Sequence, residues 1–188
     1  MNIITHGLVS WCIAQRSCKT PRDATLAAAA GLAPDLDGAG AVIDVMRGGE
    51  TEFFSAYHHV FGHNVFAGIT FVLLLTVCAV RRTRVAITAG ALFALHIACD
   101  VVGSRGPDGE SWPIPWLYPF RKDVLLAWKN QWEVNAWQNI LITIIMLAVF
   151  LKQTRDLGWS PLRLISERAD AAFVAALRAR FPNERSSA

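Results

Sequence analysis

The groups best suited to chemistry in this chain are imidazoles and carboxylates, and they come in short clusters. They are His6 in ITHG, Asp35 and Asp37 in APDLD, His58, His59 and His63 in YHHVFGHN, and His96 with Asp100 in HIACD. His96 and Asp100 stand at i and i+4, so on a helix they share a face. His59 and His63 have the same spacing, and His58 lies one residue further back. In APDLD the proline starts a rigid turn. If the turn curls around a site, Asp35 and Asp37 both point at it; if the segment is extended, they point to opposite faces. Nitrogen and carboxylate donors without thiolate suit zinc, manganese or iron. The set is larger than one tetrahedral ion needs, whereas two or more ions sharing an aspartate would use it. Each member alone has an ordinary reading: an interfacial His6, a turn Asp35, a solvated His59, a structural His96–Asp100 hydrogen bond. Those readings are unrelated to one another and do not predict that the groups gather at one place.

The elements that must position these groups are helical. Apolar spacing predicts helices over about Ile3–Gln15, Ala24–Leu32, Asn64–Val80, Val85–Val102 and Ala136–Leu151, with no internal repeat and no sustained strand pattern. Asn64 is placed to cap the third, and Gly62 to let the chain bend before it. The expected fold is therefore all-α: a membrane-embedded or membrane-associated bundle of about five helices over residues 1–152. An amphipathic tail follows over 153–188, with Ser160–Pro161 as a helix start and NERSSA expected to be disordered. The first sixteen residues lack a basic leader and read as retained. Apolar residues make up 53% and charged residues 18% of the 188, richer in apolar groups than a typical soluble domain. The runs are near or below the roughly 20 residues that span a bilayer. The four cysteines form no CxxC pair and read as small buried side chains.

Charge gives the bundle a direction. RSCKTPR, RRTR and KQTR put Arg16, Lys19, Arg22, Arg81, Arg82, Arg84, Lys152 and Arg155 in turns that fall on one side of an up-and-down arrangement. The positive-inside rule makes that side cytoplasmic. The longer loops, about 35–63 and 103–135, fall opposite and are mixed in charge, Asp108 among them. Tryptophans 112, 116, 128, 132 and 137 and Tyr118 lie in or beside the second loop, as residues of a membrane–water interface do. Every candidate ligand falls on this non-cytoplasmic side. A net charge of +3 gives no reason to expect nucleic acid as a partner.

The ordered set Thr5–His6, Pro34–Asp37, His58–His63, His96–Asp100 and Tyr118–Phe120 resembles the LexA-binding, inner-membrane-associated hydrolase family, also described as membrane-bound metal-dependent hydrolases. The likeness covers roughly residues 1–150. That family is more remotely similar to zinc-dependent phospholipase C and single-strand nucleases, all-α enzymes with clustered zinc. The resemblance implies His6, Asp35 or Asp37, His63, His96 and Asp100 as metal ligands, with His58 matching the first histidine of the family's HRGxTHS pattern. Here His59, Gly62 and Asn64 stand where that pattern has arginine, threonine and serine, so His58 and His59 remain alternative ligands.

The function expected is a membrane-bound hydrolase that cleaves a phosphoester or lipid-like substrate with metal-activated water. Asp35 or Asp37 would bridge ions or orient the water, and the aromatic stretch WPIPWLYPF would cover the site. Its partners would be membrane lipid and the substrate. Arg105 and Arg121 are candidate anion contacts, better read as solvated. Two non-enzymatic readings stand beside this one: haem held between His63 and His96, and metal-ion transport, which expects ligands at mid-membrane on broken helices.

Overall fold

A computed structural model describes residues 1–106 and 109–182. Asp108 and the terminal NERSSA lie outside these described residues. The described chain is mostly α-helical: α1 (Ile3–Ser17), α2 (Pro21–Ala30), α3 (Gly40–Met46), α4 (Phe53–Tyr57), α5 (Val65–Val77), α6 (Arg82–Gly103), α7 (Trp137–Leu157) and α8 (Glu167–Arg180). A small antiparallel pair, β1 (Ile114–Pro115) with β2 (Leu125–Leu126), lies in the long loop before α7.

Local chemistry fixes the starts of several helices. The side chain of Asn2 accepts the Thr5 N–H at the head of α1, Thr20 accepts Asp23 N–H ahead of Pro21 in α2, and Asn64 accepts Ala67 N–H to start α5. α7 ends on Gly158 in the left-handed conformation. The alanine run of α2 is buried, with Ala24, Ala27 and Ala30 fully covered. Small side chains there allow α2 to pack closely against α1 and α6. α1 also packs on α7, and α5 on α6.

Only α6 is both long and apolar enough to cross a membrane by itself among the described residues, with 22 residues and mean hydropathy 2.0. α2 and residues Pro34–Met46 form a second candidate as a pair bent by 66°, and the 13-residue α5 is apolar but short.

The sequence placed a loop over about 35–63. The chain instead folds Pro34–Ala39 into a 3₁₀ turn followed by α3 and α4, because Asp44 ties the two helices together by accepting from Thr51 Oγ1 and the Phe53 and Phe54 N–H groups. The helix expected from Ser160 is interrupted. Ser160 caps a 3₁₀ turn, Pro161–Leu164, and a second cap at Ser166 starts α8. The expected boundary at 152 falls within α7, and α8 packs back on α7.

Two ends of the bundle differ. At one end the turns after α1, α5 and α7 meet. Arg84 donates to the Ser17 carbonyl, the Asp23 carboxylate accepts the Val80 and Arg81 N–H groups, and Gln15 donates to the Trp159 carbonyl. The imidazoles gather at the other end.

Candidate metal centre

α6 presents His96 and Asp100 one turn apart, both buried at 2% and 1% exposure. The Nδ1 of His96 donates to the Gly31 carbonyl at 2.8 Å, where α2 ends. A carbonyl only accepts, so the proton sits on Nδ1 and Nε2 turns inward with its lone pair. His63, in the bend just before α5, is held the same way. Its Nδ1 faces Asp37 Oδ2 at 2.9 Å, and Nε2 points at the site. The two Nε2 atoms stand 3.2 Å apart.

Two carboxylates complete the group. Asp100 Oδ2 is 3.0 Å from His96 Nε2 and 3.2 Å from His63 Nε2. Asp35 Oδ1 is 3.7 Å and 3.9 Å from the same two nitrogens. All four residues offer one donor atom within 4.8 Å of the others. A tetrahedral ion with bonds of about 2.0–2.1 Å sets its ligand atoms about 3.3 Å apart, so the spacing fits. The directions fit as well. Asp100 Oδ2 has no directed hydrogen bond despite two nitrogens at contact distance, and Asp35 Oδ2 has no partner either. Four donor atoms thus converge on one point, an arrangement that could hold a cation at its centre. Burial pushes the His63 ring down, but the closeness of Asp100 and Asp37 outweighs it and raises the ring to about 9. The cluster thus holds a proton where positive charge is wanted.

The remaining candidates take distinct places. His6 Nε2 meets the other oxygen of Asp100, Oδ1, at 2.9 Å, its ring stacked on His96 at 3.7 Å between centroids; the Met1 amino group touches the same oxygen. Asp37 stands one step behind the cluster. Its oxygens accept from His58 Nδ1, His63 Nδ1 and the Gly62 N–H, so it orients His63. His58 is thereby turned toward Asp37. His59 is buried rather than solvated. It adopts φ +68°, places Nε2 3.8 Å from Asp100 Oδ2, and leaves Nδ1 without a partner. Burial first, then the charge of His63, pushes its pKa down to about 3. Left-handed backbone at a β-carbon-bearing residue is strained, and it is what folds His59 back under the cluster. Gly62 is needed for space, not for bending: a β-carbon there would lie 2.2 Å from the Pro34 carbonyl oxygen. This contact presses the histidine bend against the Asp35–Asp37 turn.

Residues that sequence reasoning passed over hold the frame. Gln131 donates to the Asp100 carbonyl at 2.7 Å, and Asn139 donates to the carbonyls of Gly103, Glu133 and Val134 while accepting from Trp132. They fasten the long loop over the end of α6. Asn139 had a readable signal, an amide directly before the apolar run Ile140–Leu151. Trp112 packs edge-on against His58 and His59 and walls an open cavity of about 200 Å³ beside the cluster, shared with Phe54 and Pro113. Arg121 pairs with Asp123, and Arg105 donates to the Lys129 carbonyl. None of the cysteines joins a disulfide; Cys12 and Cys18 are buried as expected, whereas Cys78 is exposed.

The profile of one family, described as YdjM inner membrane protein, matches residues 1–178. No curated protein and no solved structure matches the chain.

Proposed function

Since the chain belongs to the YdjM inner membrane protein family, we propose that it is a membrane-bound, metal-dependent hydrolase that cleaves a phosphoester in a lipid-like substrate. The observation that carries this reading is the convergence of His63 Nε2, His96 Nε2, Asp35 and Asp100 on one point, with Asp100 Oδ2 left without a hydrogen bond. The donor set suits zinc. Such an ion supplies Lewis acidity, lowering the pKa of water toward 7 and offsetting charge on a phosphoryl oxygen. His6 and His59 approach Asp100 from outside the four-donor group, which makes Asp100 the carboxylate that a second ion would share.

The protein's own groups divide the work. Asp35, at 10% side-chain exposure against 0–1% for the other three donors, is the one nearest solvent, and its carboxylate would accept the proton of the attacking water. Asp37 keeps His63 in the tautomer that faces inward. The cavity walled by Phe54 and Trp112 receives the substrate beside the cluster.

Depth supports a lipid-like substrate. By the 1.5 Å rise per residue, His96 lies roughly 21 Å and Asp100 roughly 27 Å along α6 from Arg82. A hydrocarbon core is about 30 Å thick, so with the basic turns at the cytoplasmic face the cluster sits near the opposite boundary, where headgroups are. A haem would have no slot between two Nε2 atoms 3.2 Å apart. The off-centre depth also disfavours transport.

The test is metal analysis of protein purified from membranes, alongside His96→Ala and Asp100→Ala, followed by hydrolysis assays on phosphodiesters and phospholipids with metal-loaded protein. About one or more transition-metal ions per chain, lost in both variants, is the expected result. Wild type that never carries a transition metal would sink the reading, and loaded protein inert on every ester would sink its catalytic half.

A further inference from the structure

α3 carries an apolar face that nothing in the chain covers. Val42, Ile43, Val45 and Met46 expose 62%, 43%, 80% and 82% of their surfaces, and Leu36 in the turn before them 66%. On a helix the spacing 42, 43, 45, 46 is one face. Asp44, the charged residue inside α3, is spent on the opposite side, where its carboxylate accepts from Thr51, Phe53 and Phe54. The face is therefore uninterrupted. It ends at Arg47, Gly48, Gly49 and Glu50, an exposed polar turn in which nothing stands within 4 Å of where either glycine would carry a β-carbon.

A second apolar surface begins on the other side of α3, where Asp44 lies. Gly40 packs against Phe53 of α4. Phe53 stacks on Tyr57, Tyr57 on Phe61, and Phe61 meets Tyr118 edge-on, with centroids 5.3–5.9 Å apart. Tyr118 lies two residues from Phe120, which sits against Phe66 on α5 at 4.9 Å. From Phe66 the exposed apolar surface continues down α5 through Ile69, Leu73 and Val77. Tyr57, Phe61 and Phe120 of this row are exposed, as aromatics of a membrane–water interface are.

We propose that α3 is an interfacial anchor, lying in the lipid leaflet on the side of the metal centre. It is too short to span. Residues Pro34–Met46 rise at most about 26 Å even at the 2.0 Å per residue of a 3₁₀ helix, they leave α2 at 66°, and they end in polar residues. The occupant of the face is the acyl region of a phospholipid leaflet, because the chain belongs to an inner-membrane family and α5 exposes apolar surface as well. Asp35 and Asp37 occupy the turn between α2 and α3, so the anchor sets the height of the carboxylates and opens the metal centre toward that leaflet. The anchor rests on family membership and geometry, and it stands whether or not the centre is hydrolytic.

The test is a nitroxide scan. Single cysteines replace Val45, Met46 and Gly49 in a Cys78→Ser background, and the full chain is reconstituted into vesicles of zwitterionic and anionic phospholipid. Collision rates with oxygen and with a water-soluble nickel chelate then report depth. Labels at 45 and 46 should favour oxygen several-fold over the label at 49. Equal access of the nickel chelate to all three overturns the proposal. A second measurement uses the unaltered chain and a photoactivatable reagent dissolved in the bilayer. Labelling within residues 42–46 supports the anchor; labelling of α5 with none in 36–46 overturns it.

Discussion

Asp23 and Asp100 are carboxylates of one bundle, buried at 0% and 1% exposure at opposite ends. At the basic end, Asp23 divides its two oxygens between the N–H groups of Val80 and Arg81, closing the turn between α5 and α6. Nearby, one oxygen of Asp170 accepts from both the N–H and the hydroxyl of Ser160. At the other end, Asp100 gives Oδ1 to His6 and Met1, while Oδ2 faces two imidazole nitrogens with which it makes no directed bond. Burial is the same at both ends, so burial does not mark function. The difference is the kind of partner. At the basic end backbone and hydroxyl groups donate to the carboxylate; at the other, imidazole nitrogens and a second carboxylate gather around it in a group that could hold a cation.

The largest effect that could break this contrast is metal removal. With free metal at about 1,000 times its dissociation constant, binding stabilises the folded chain by about 4 kcal/mol. For a chain of this size that is about 8–16 °C in Tm. Chelation should lower the Tm of wild type by that order. Asp100→Asn should contain no stoichiometric metal, and its Tm should ignore the chelator. An Asp100→Asn protein that keeps its full metal content would erase the distinction between the two ends.

Asp23→Ala probes the other half. It leaves two part-buried backbone N–H groups without their acceptor, a loss of about 3 kcal/mol for hydrogen bonds to a charged group. A fall of about 6–12 °C in Tm follows. Metal content per folded chain should equal that of wild type. Loss of metal together with stability would mean that the two ends are coupled and that the contrast is not one of separate roles.

The distinction was only half readable in the sequence. α1, α5, α6 and α7 follow from apolar runs, and their alternation with basic turns already sends His6, His63, His96 and Asp100 to one end. What periodicity cannot carry is which buried polar atom meets which backbone group. Asp37 looked equivalent to Asp35, but the 3₁₀ turn separates them: Asp35 faces the cluster and Asp37 the back of His63. His58 and His59 looked like alternative ligands because nothing in YHHVFGHN announces that His59 is left-handed without a glycine or that His58 turns to Asp37. α3 and α4 were hidden in a loop because each is too short to show a helical period, and Asp44, which joins them, acts across seven to ten residues.

Asp37→Asn sharpens the contrast within the metal end. An amide at this position still meets His63 Nδ1 and Gly62 but loses the charge that makes the imidazole a stronger donor to metal. Partners of this kind are worth about 10–100-fold in metal affinity. Competition against a chelating dye should show a weakening of that size with the stoichiometry unchanged. A variant that binds as tightly as wild type would show that the Gly62 contact alone positions His63.

The smallest effect belongs to Asp156, and it separates contact number from consequence. This carboxylate touches both Lys152 and Arg155, more cations than Asp23 or Asp170 meets, yet it is 32% exposed at the end of α7. Water and salt screen such pairs, and ordering the long side chains costs part of what the charges gain. Asp156→Ala should change stability by less than about 0.5 kcal/mol, within the scatter of a thermal melt, and leave metal binding untouched. A loss approaching that of Asp23→Ala would mean that charge pairing holds the basic end together. If the melt does not move, the weight there rests on the backbone N–H groups that buried carboxylates accept, the one kind of donor the metal cluster lacks among its four converging atoms.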